Sequence, residues 1–222
     1  MKELADGVHL LRGFPPHAIN VYLMGDVIVD AGTKWDRRRI LRQVRDHTVA
    51  AHALTHAHPD HQGSSHAICQ ELEIPLWCGA GDVAAMEDGD VRSRQPRHWL
   101  NAVGERLMTG PPHPVARTLR EGDEVAGFTV LEVPGHSAGH VAYWRESDRT
   151  LILGDVLNGM NLLTSRPGLQ EPPAFYTSDP VRNRESARRL AALDPALVCF
   201  GHGPPVRDPA ALAAFVASLP AG

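Results

Sequence analysis

The chain has 222 residues, 43% hydrophobic and 22% charged, enough to bury the core of one large globular domain. No apolar run approaches the roughly 20 residues of a membrane helix, and a net charge of −4 argues against a nucleic-acid partner. The opening MKELADGVHLLRGFPPH has no apolar core of a secretory signal, and the three cysteines (Cys69, Cys78, Cys199) sit in apolar segments; both features predict a cytoplasmic protein with free, buried thiols. The abnormal count is histidine, at 13.

Val8–Leu11, Ala18–Met24 and Val27–Asp30 read as strands, with Met24-Gly25-Asp26 as a hairpin turn. From Thr33 to Asp46 the spacing of Trp35, Ile40, Leu41 and Val44 predicts one helical face. Val49–Thr55 reads as a buried strand ending at His56; Ser64–Leu72 as a helix; Ile74–Cys78 as a strand; Gly79–Met86 as a turn into another helix. Residues 87–117 are polar and proline-rich, a loop with a helix near Trp99–Met108. Strands follow at Phe128–Val133, Val141–Arg145 and Thr150–Leu153, then a long irregular segment over 157–178. Arg182–Leu193 is helical, Ala196–Phe200 a strand and Ala210–Leu219 a closing helix. Strands then helix, twice over and without a linker, predict one α/β (α+β) domain over 1–222, with two mixed β-sheets flanked by helices.

The sharpest segment is Thr55-His56-Ala57-His58-Pro59-Asp60-His61. In an extended stretch residues two apart point the same way, so His56 and His58 face a common point. Pro59 predicts a sharp turn, which brings Asp60 and His61 to a second point nearby. Imidazole and carboxylate are donors suited to zinc. Downstream, Pro134-Gly135-His136-Ser137-Ala138-Gly139-His140, Gly154-Asp155 and Gly201-His202-Gly203 each follow an apolar strand and set polar residues among glycines. Glycine there permits tight turns and close backbone approach.

This set, in this order, resembles the metallo-β-lactamase-fold hydrolases, and within them the branch containing glyoxalase II-like proteins. The resemblance spans essentially the whole chain and rests on Asp30-Ala31-Gly32, His56-x-His58-x-Asp60-His61, His136, Asp155 and His202. It implies a four-layer αββα sandwich with a two-metal site at one edge of the sheets. By the resemblance, His56, His58 and His136 hold the first metal, Asp60, His61 and His202 the second, and Asp155 bridges them; Asp30 supports the site without binding metal. The implied cofactors are two divalent ions, zinc foremost, although the same donors serve iron and manganese. The implied reaction is attack of a metal-bridging hydroxide on a small-molecule ester, thioester or lactone, with Asp60 and Asp155 as its carboxylates.

Departures narrow the branch. Metallo-β-lactamases proper lack the bridging aspartate, and Asp155 is present here. Glyoxalase II carries a C-terminal glutathione-binding region, whereas only 20 residues follow His202. Many quorum-quenching lactonases place a tyrosine three residues after the bridging aspartate; here Asn158 stands there and becomes, with Tyr176, a candidate substrate contact. The alternative is a mononuclear iron oxidoreductase resembling the persulfide dioxygenases, but the Arg- and Gly-rich segment expected after Gly154-Asp155 is replaced by Val156-Leu157-Asn158-Gly159-Met160-Asn161. A non-catalytic metal-binding protein is a third reading. Trp99, Met108, Met160, Phe175 and Tyr176 lie in the two long segments and are expected to shape a substrate pocket. Arg92, Arg94 and Arg97 read as a solvated face, with steering of an anion as the second option. His140 reads as a support. His9, His17, His47, His52, His66, His98 and His113 read as surface or core-edge residues. The expected partner is a small molecule, with neither nucleic acid nor membrane, and the 157–178 edge is the place for a homodimer.

Overall fold

The computed structural model describes residues 1–91 and 95–220. Strands β1 (Lys2–Ala5), β2 (Val8–Leu10), β3 (Tyr22–Met24) and β4 (Val27–Val29) pair antiparallel. β5 (Ala51–Ala53), β6 (Leu76–Gly79) and β7 (Arg117–Leu119) extend them in parallel, so sheet order follows chain order. The second sheet runs β14 (Leu197–Phe200), β11 (Thr150–Gly154), β10 (Val141–Arg145), β9 (Phe128–Glu132) and β8 (Glu124–Val125). Only β11 and β14 are parallel neighbours in it.

The central strands bury both faces, with side chains alternating between two cores. Val27 and Val29 of β4, Phe128 and Val130 of β9, and Ile152 of β11 pack between the sheets. Ile28, Leu54 and Leu76 face outward under α1 (Arg37–Val44), α3 (Ser65–Leu72) and α4 (Val83–Asp88). Leu151, Leu153, Val198 and Phe200 face α6 (Pro180–Ala191) and α7 (Pro209–Ser218). Helices, sheet, sheet and helices make the four-layer αββα sandwich. Each of the last two helices starts from an Asp-Pro pair: Asp179 and Asp208 cap a backbone N–H in the first turn, and the proline stands where no N–H is needed. No helix among the described residues is long and apolar enough to cross a membrane.

Several expectations change. β1, β7 and β8 stand at sheet edges, where half-exposed residues carry no clean apolar alternation. The strand expected from Ala18 begins only at Tyr22, because Asn20 turns its side chain to the carbonyls of Phe200 and Gly203 at 2.9 and 2.8 Å. Trp35 lies ahead of α1 and is 77% exposed, its Nε1 donating to the Leu107 carbonyl at 3.1 Å. The segment 157–178 contains a hairpin of β12 (Asn158–Met160) and β13 (Pro167–Gln170), whose Pro-Gly composition hides a strand. His52 is fully buried in β5; its Nδ1–H donates to the Ile28 carbonyl at 3.0 Å, and its Nε2 accepts the Ser65 hydroxyl at 2.8 Å.

Candidate metal centre

β9, β11 and β14 all run opposite to β10, so their C-terminal ends emerge at one edge of the second sheet. β5 of the first sheet ends beside them, tied across by the Val141 N–H to the Thr55 carbonyl at 2.9 Å and the Tyr143 hydroxyl to the Leu54 carbonyl at 2.8 Å. His56 and His58 follow β5, His136 follows β9, Asp155 follows β11 and His202 follows β14. His58 is extended and caps a single helical turn, α2 (Pro59–Gln62), that opens on Pro59 and swings Asp60 and His61 back to the same edge. Glycine is needed where the ends crowd: a Cβ on Gly201 would lie 2.1 Å from Asp155 Oδ1, and one on Gly154, whose φ is +58°, would lie 2.5 Å from His140 Nε2.

The seven residues expected as ligands converge here. Ligand atoms of His56, His58 and His136 lie within 4.8 Å of one another, as do those of Asp60, His61 and His202, and those of His56, His61 and Asp155. Asp155 Oδ2 is 3.6 Å from both His61 Nε2 and His136 Nε2, and 3.1 Å from His202 Nε2. Asp155 therefore stands between the two trios.

Four rings are anchored through Nδ1, which leaves Nε2 facing inward. His61 Nδ1–H donates to Asp30 Oδ2 at 2.9 Å. The Thr55 hydroxyl donates to the same carboxylate at 2.9 Å, so its oxygen is left to accept His56 Nδ1–H at 3.0 Å. The Thr177 hydroxyl donates to the Pro173 carbonyl at 3.1 Å and accepts His136 Nδ1–H at 3.2 Å. His202 Nδ1–H donates to the Ala18 carbonyl. Such outer partners fix ring orientation and tautomer in metal sites. Asp30, expected as a support, holds this place at φ +62°, a left-handed conformation unusual for a non-glycine residue.

Burial pulls the His56 and His136 pKa values well below the usual imidazole range, and neighbouring rings push the same way. Burial also lowers His58, against the pull of Asp60. His61 and His202 go the other way: burial would lower them, but Asp155, Asp30 and Asp60 outweigh it at His61, and Asp155 and Asp60 leave His202 at about 10. Burial would raise Asp60 and Asp155, yet His61 and His202 hold both below the usual carboxylate range. His56, His58 and His136 are thus neutral imidazoles with a lone pair to offer, while His61 and His202 carry protons that balance the ionised Asp60 and Asp155 and that a divalent cation would displace. His56 Nε2, His61 Nε2, His136 Nε2 and Asp155 Oδ1 are buried with no hydrogen-bond partner among the described residues. Orphaned donors of this borderline-hard kind fit divalent metal ions.

A cavity of about 370 Å³ is lined by His58, Asp60, His136, Asp155 and His202, together with Met108, Phe175 and Tyr176 of the expected pocket residues. Asn158 is buried in β12 and is not among its lining residues. Met160 is buried in the same strand, and Trp99 is exposed and lines a neighbouring hollow with Arg97. Arg92 and Arg94 lie outside the described residues. His140 is a support, its Nε2 accepting the Asp155 N–H at 3.3 Å.

Sequence reasoning missed Asp82. Its buried carboxylate accepts the Ala57 N–H at 2.9 Å, the Ser137 hydroxyl at 2.7 Å and the Gly139 N–H at 2.9 Å, so it braces the His56-x-His58 loop against the His136 loop. The run Gly79-Ala80-Gly81-Asp82, another acid among glycines at a strand end, was the available signal.

Residues 14–202 match the model of the metallo-β-lactamase superfamily. The chain is 26% identical over 231 residues to the probable metallo-hydrolase YflN of Bacillus subtilis, covering 92% of this chain and 86% of that one. A shorter stretch, half of this chain and 36% of the other, is 33% identical to a hydroxyacylglutathione hydrolase of Bdellovibrio bacteriovorus. Among solved structures, TTHA1623 in a di-iron-bound form superposes with a TM-score of 0.62 at 29% identity, covering 93% of each chain. With the ordered ligand set and the αββα sandwich, the match over most of its length shows that the chain belongs to the metallo-β-lactamase superfamily and is a metal-dependent hydrolase.

Proposed function

We propose that the protein is a dinuclear, glyoxalase II-like hydrolase of a small-molecule ester, thioester or lactone, with zinc in both positions. The observation that carries the proposal is the pair of ligand trios sharing Asp155 between them, with four imidazoles turned Nε2-inward. His56, His58 and His136 would hold one ion, Asp60, His61 and His202 the other, and Asp155 both. Two divalent ions there would supply a water acidified to a pKa of roughly 7 and a Lewis acid for the carbonyl oxygen. Asp60, 21% exposed at its side chain and lining the cavity, would accept a hydrogen bond from the attacking water and orient it. The Tyr176 hydroxyl also lines the cavity; burial raises its pKa, so at neutral pH it remains a donor for a substrate oxygen. The three buried free thiols suit the reducing cytoplasm proposed for it.

The partial likeness to a hydroxyacylglutathione hydrolase supports thioester chemistry, and the di-iron-bound relative favours iron as the second choice of metal. The test is metal identity and stoichiometry on protein purified without added metal, followed by an ester, thioester and lactone panel. Two zinc ions per chain with turnover support the proposal. One iron per chain with oxygen consumption would turn it toward a sulfur oxidoreductase. Replacing Asp155 with Ala should lower metal content and cut kcat/KM by about a hundredfold or more; full retention of both would defeat the bridging assignment.

A further inference from the structure

The cavity over the candidate centre is lined by two buried amides, one paired only through its nitrogen and the other unpaired among the described residues. Asn101, in α5 (Trp99–Met108), is 1% exposed and lines the cavity. Its Nδ2 donates to the Pro96 carbonyl at 2.8 Å and the Phe175 carbonyl at 2.7 Å. Two carbonyl acceptors at one end settle which way the amide faces, because an oxygen there would repel both. Its Oδ1 is left without a partner among the described residues. Gln95 is 7% exposed and lines the same cavity, and neither Nε2 nor Oε1 has a partner among the described residues. Both residues also line the adjoining hollow of about 590 Å³, so they stand where the two spaces meet. A buried, unpaired amide is a standing cost to stability that burial of a leucine would avoid.

We propose that Gln95 and Asn101 are the specificity-determining pair of this hydrolase, selecting an acyl compound that carries a hydroxyl or secondary amide on an otherwise apolar chain. The inference rests on the hydrolase reading above. Asn101 Oδ1 only accepts, so the ligand must donate. Gln95 offers both functions, so the same ligand group is also held through its own oxygen. A hydroxyl or secondary amide presents donor and acceptor together; a ketone or ether leaves Asn101 unpaired. Leu100, Leu162, Leu163 and Phe175 supply apolar walls beside the pair. Sites built around unpaired polar groups reject analogues lacking the matching group far more strongly than sites that merely fit shape.

The test compares the hexanoyl thioester of N-acetylcysteamine with counterparts hydroxylated at each chain carbon in turn, on wild type and Gln95→Leu. Wild type should prefer at least one hydroxylated isomer by about tenfold or more in kcat/KM, and Gln95→Leu should reduce that ratio toward one. Because the Gln95 amide has no partner among the described residues, the variant's Tm should be unchanged or higher. Calorimetric Kd values for hexanoic acid and the same hydroxyhexanoic acids should show the same preference and its loss. No preference in wild type, or a preference that survives the substitution, overturns the pair. If no thioester is cleaved, the thioester part of the proposed function falls, while the ratio of Kd values still decides for or against the pair.

Discussion

Asp82 shows how much one carboxylate outside the ligand set contributes. Its two oxygens hold two backbone N–H groups and one hydroxyl, and those belong to the loops that carry His56, His58 and His136. Asparagine has one acceptor oxygen and would turn an NH2 toward a donor. Asp82→Asn is expected to weaken metal binding by about 10–100-fold, read by competition with a chromogenic chelator. His52 gives a pH prediction away from the metal centre. Burial pushes its pKa from 6.5 down to about 4, so the unfolded chain takes up a proton before the folded one does. The stability that depends on neutral His52 is complete above pH 6.5 and is lost as pH falls toward about 4. Urea unfolding across that window should show wild type losing roughly 3 kcal/mol more than His52→Leu. The variant starts less stable, because the Ser65 hydroxyl and Ile28 carbonyl lose their partner. Equal slopes would show that His52 is not the titrating group.

At the scale of elements, the ends of strands carry the chemistry and their spacing tolerates little. β14 reaches the site through Gly201, where any Cβ would strike Asp155 Oδ1 and come within 2.6 Å of His61 Cε1. Gly201→Ala must therefore displace both of these candidate ligand residues, or β14 itself, by a sizeable fraction of an ångström. Misplacement on that scale costs about a hundredfold in rate, so kcat/KM should drop by that factor or more while far-UV circular dichroism stays native. Wild-type turnover in this variant would mean that Asp155 is free to move. α6 plays a quieter part: Asn183 Nδ2 donates to the Val156 carbonyl at 2.9 Å and the Ser186 hydroxyl to the Pro134 carbonyl at 2.8 Å, so the helix backs both the Asp155 and His136 turns.

For the whole molecule, the two sheets meet at the candidate centre, and the residues proposed as its ligands come from both. An ion bound to the folded chain alone stabilises it by mass action, about 4 kcal/mol at a thousand times Kd. Removing metal with a chelator should lower Tm by several degrees, and stoichiometric zinc should restore it. An unchanged Tm would mean that the centre is uncoupled from the packing of one sheet on the other.

Much of this was legible locally. His56, His58, Asp60 and His61 lie within six residues, and the glycine-flanked His136, Asp155 and His202 each close an apolar strand, so period and punctuation marked the segments, and the family resemblance picked the seven residues from them. The long buried helices and central strands were legible for the same reason: a buried face repeats every two or 3.6 residues. Edge strands β1, β7 and β8 and the Pro-Gly hairpin of β12 and β13 were not, because a half-exposed strand needs no such repeat. Asp82, Gln95 and Asn101 read as ordinary polar residues in sequence. Their meaning depends on what the fold brings against them: for Asp82, loop residues 25 and 55 or more positions away; for Asn101, the Phe175 carbonyl 74 away. Sequence determined which residues can bind metal and which faces are buried, since both are properties of local chemistry and period. Tertiary structure alone decided which strand ends share an edge and which polar atoms are left without partners, because adjacency arises from pairing between segments that no local pattern connects.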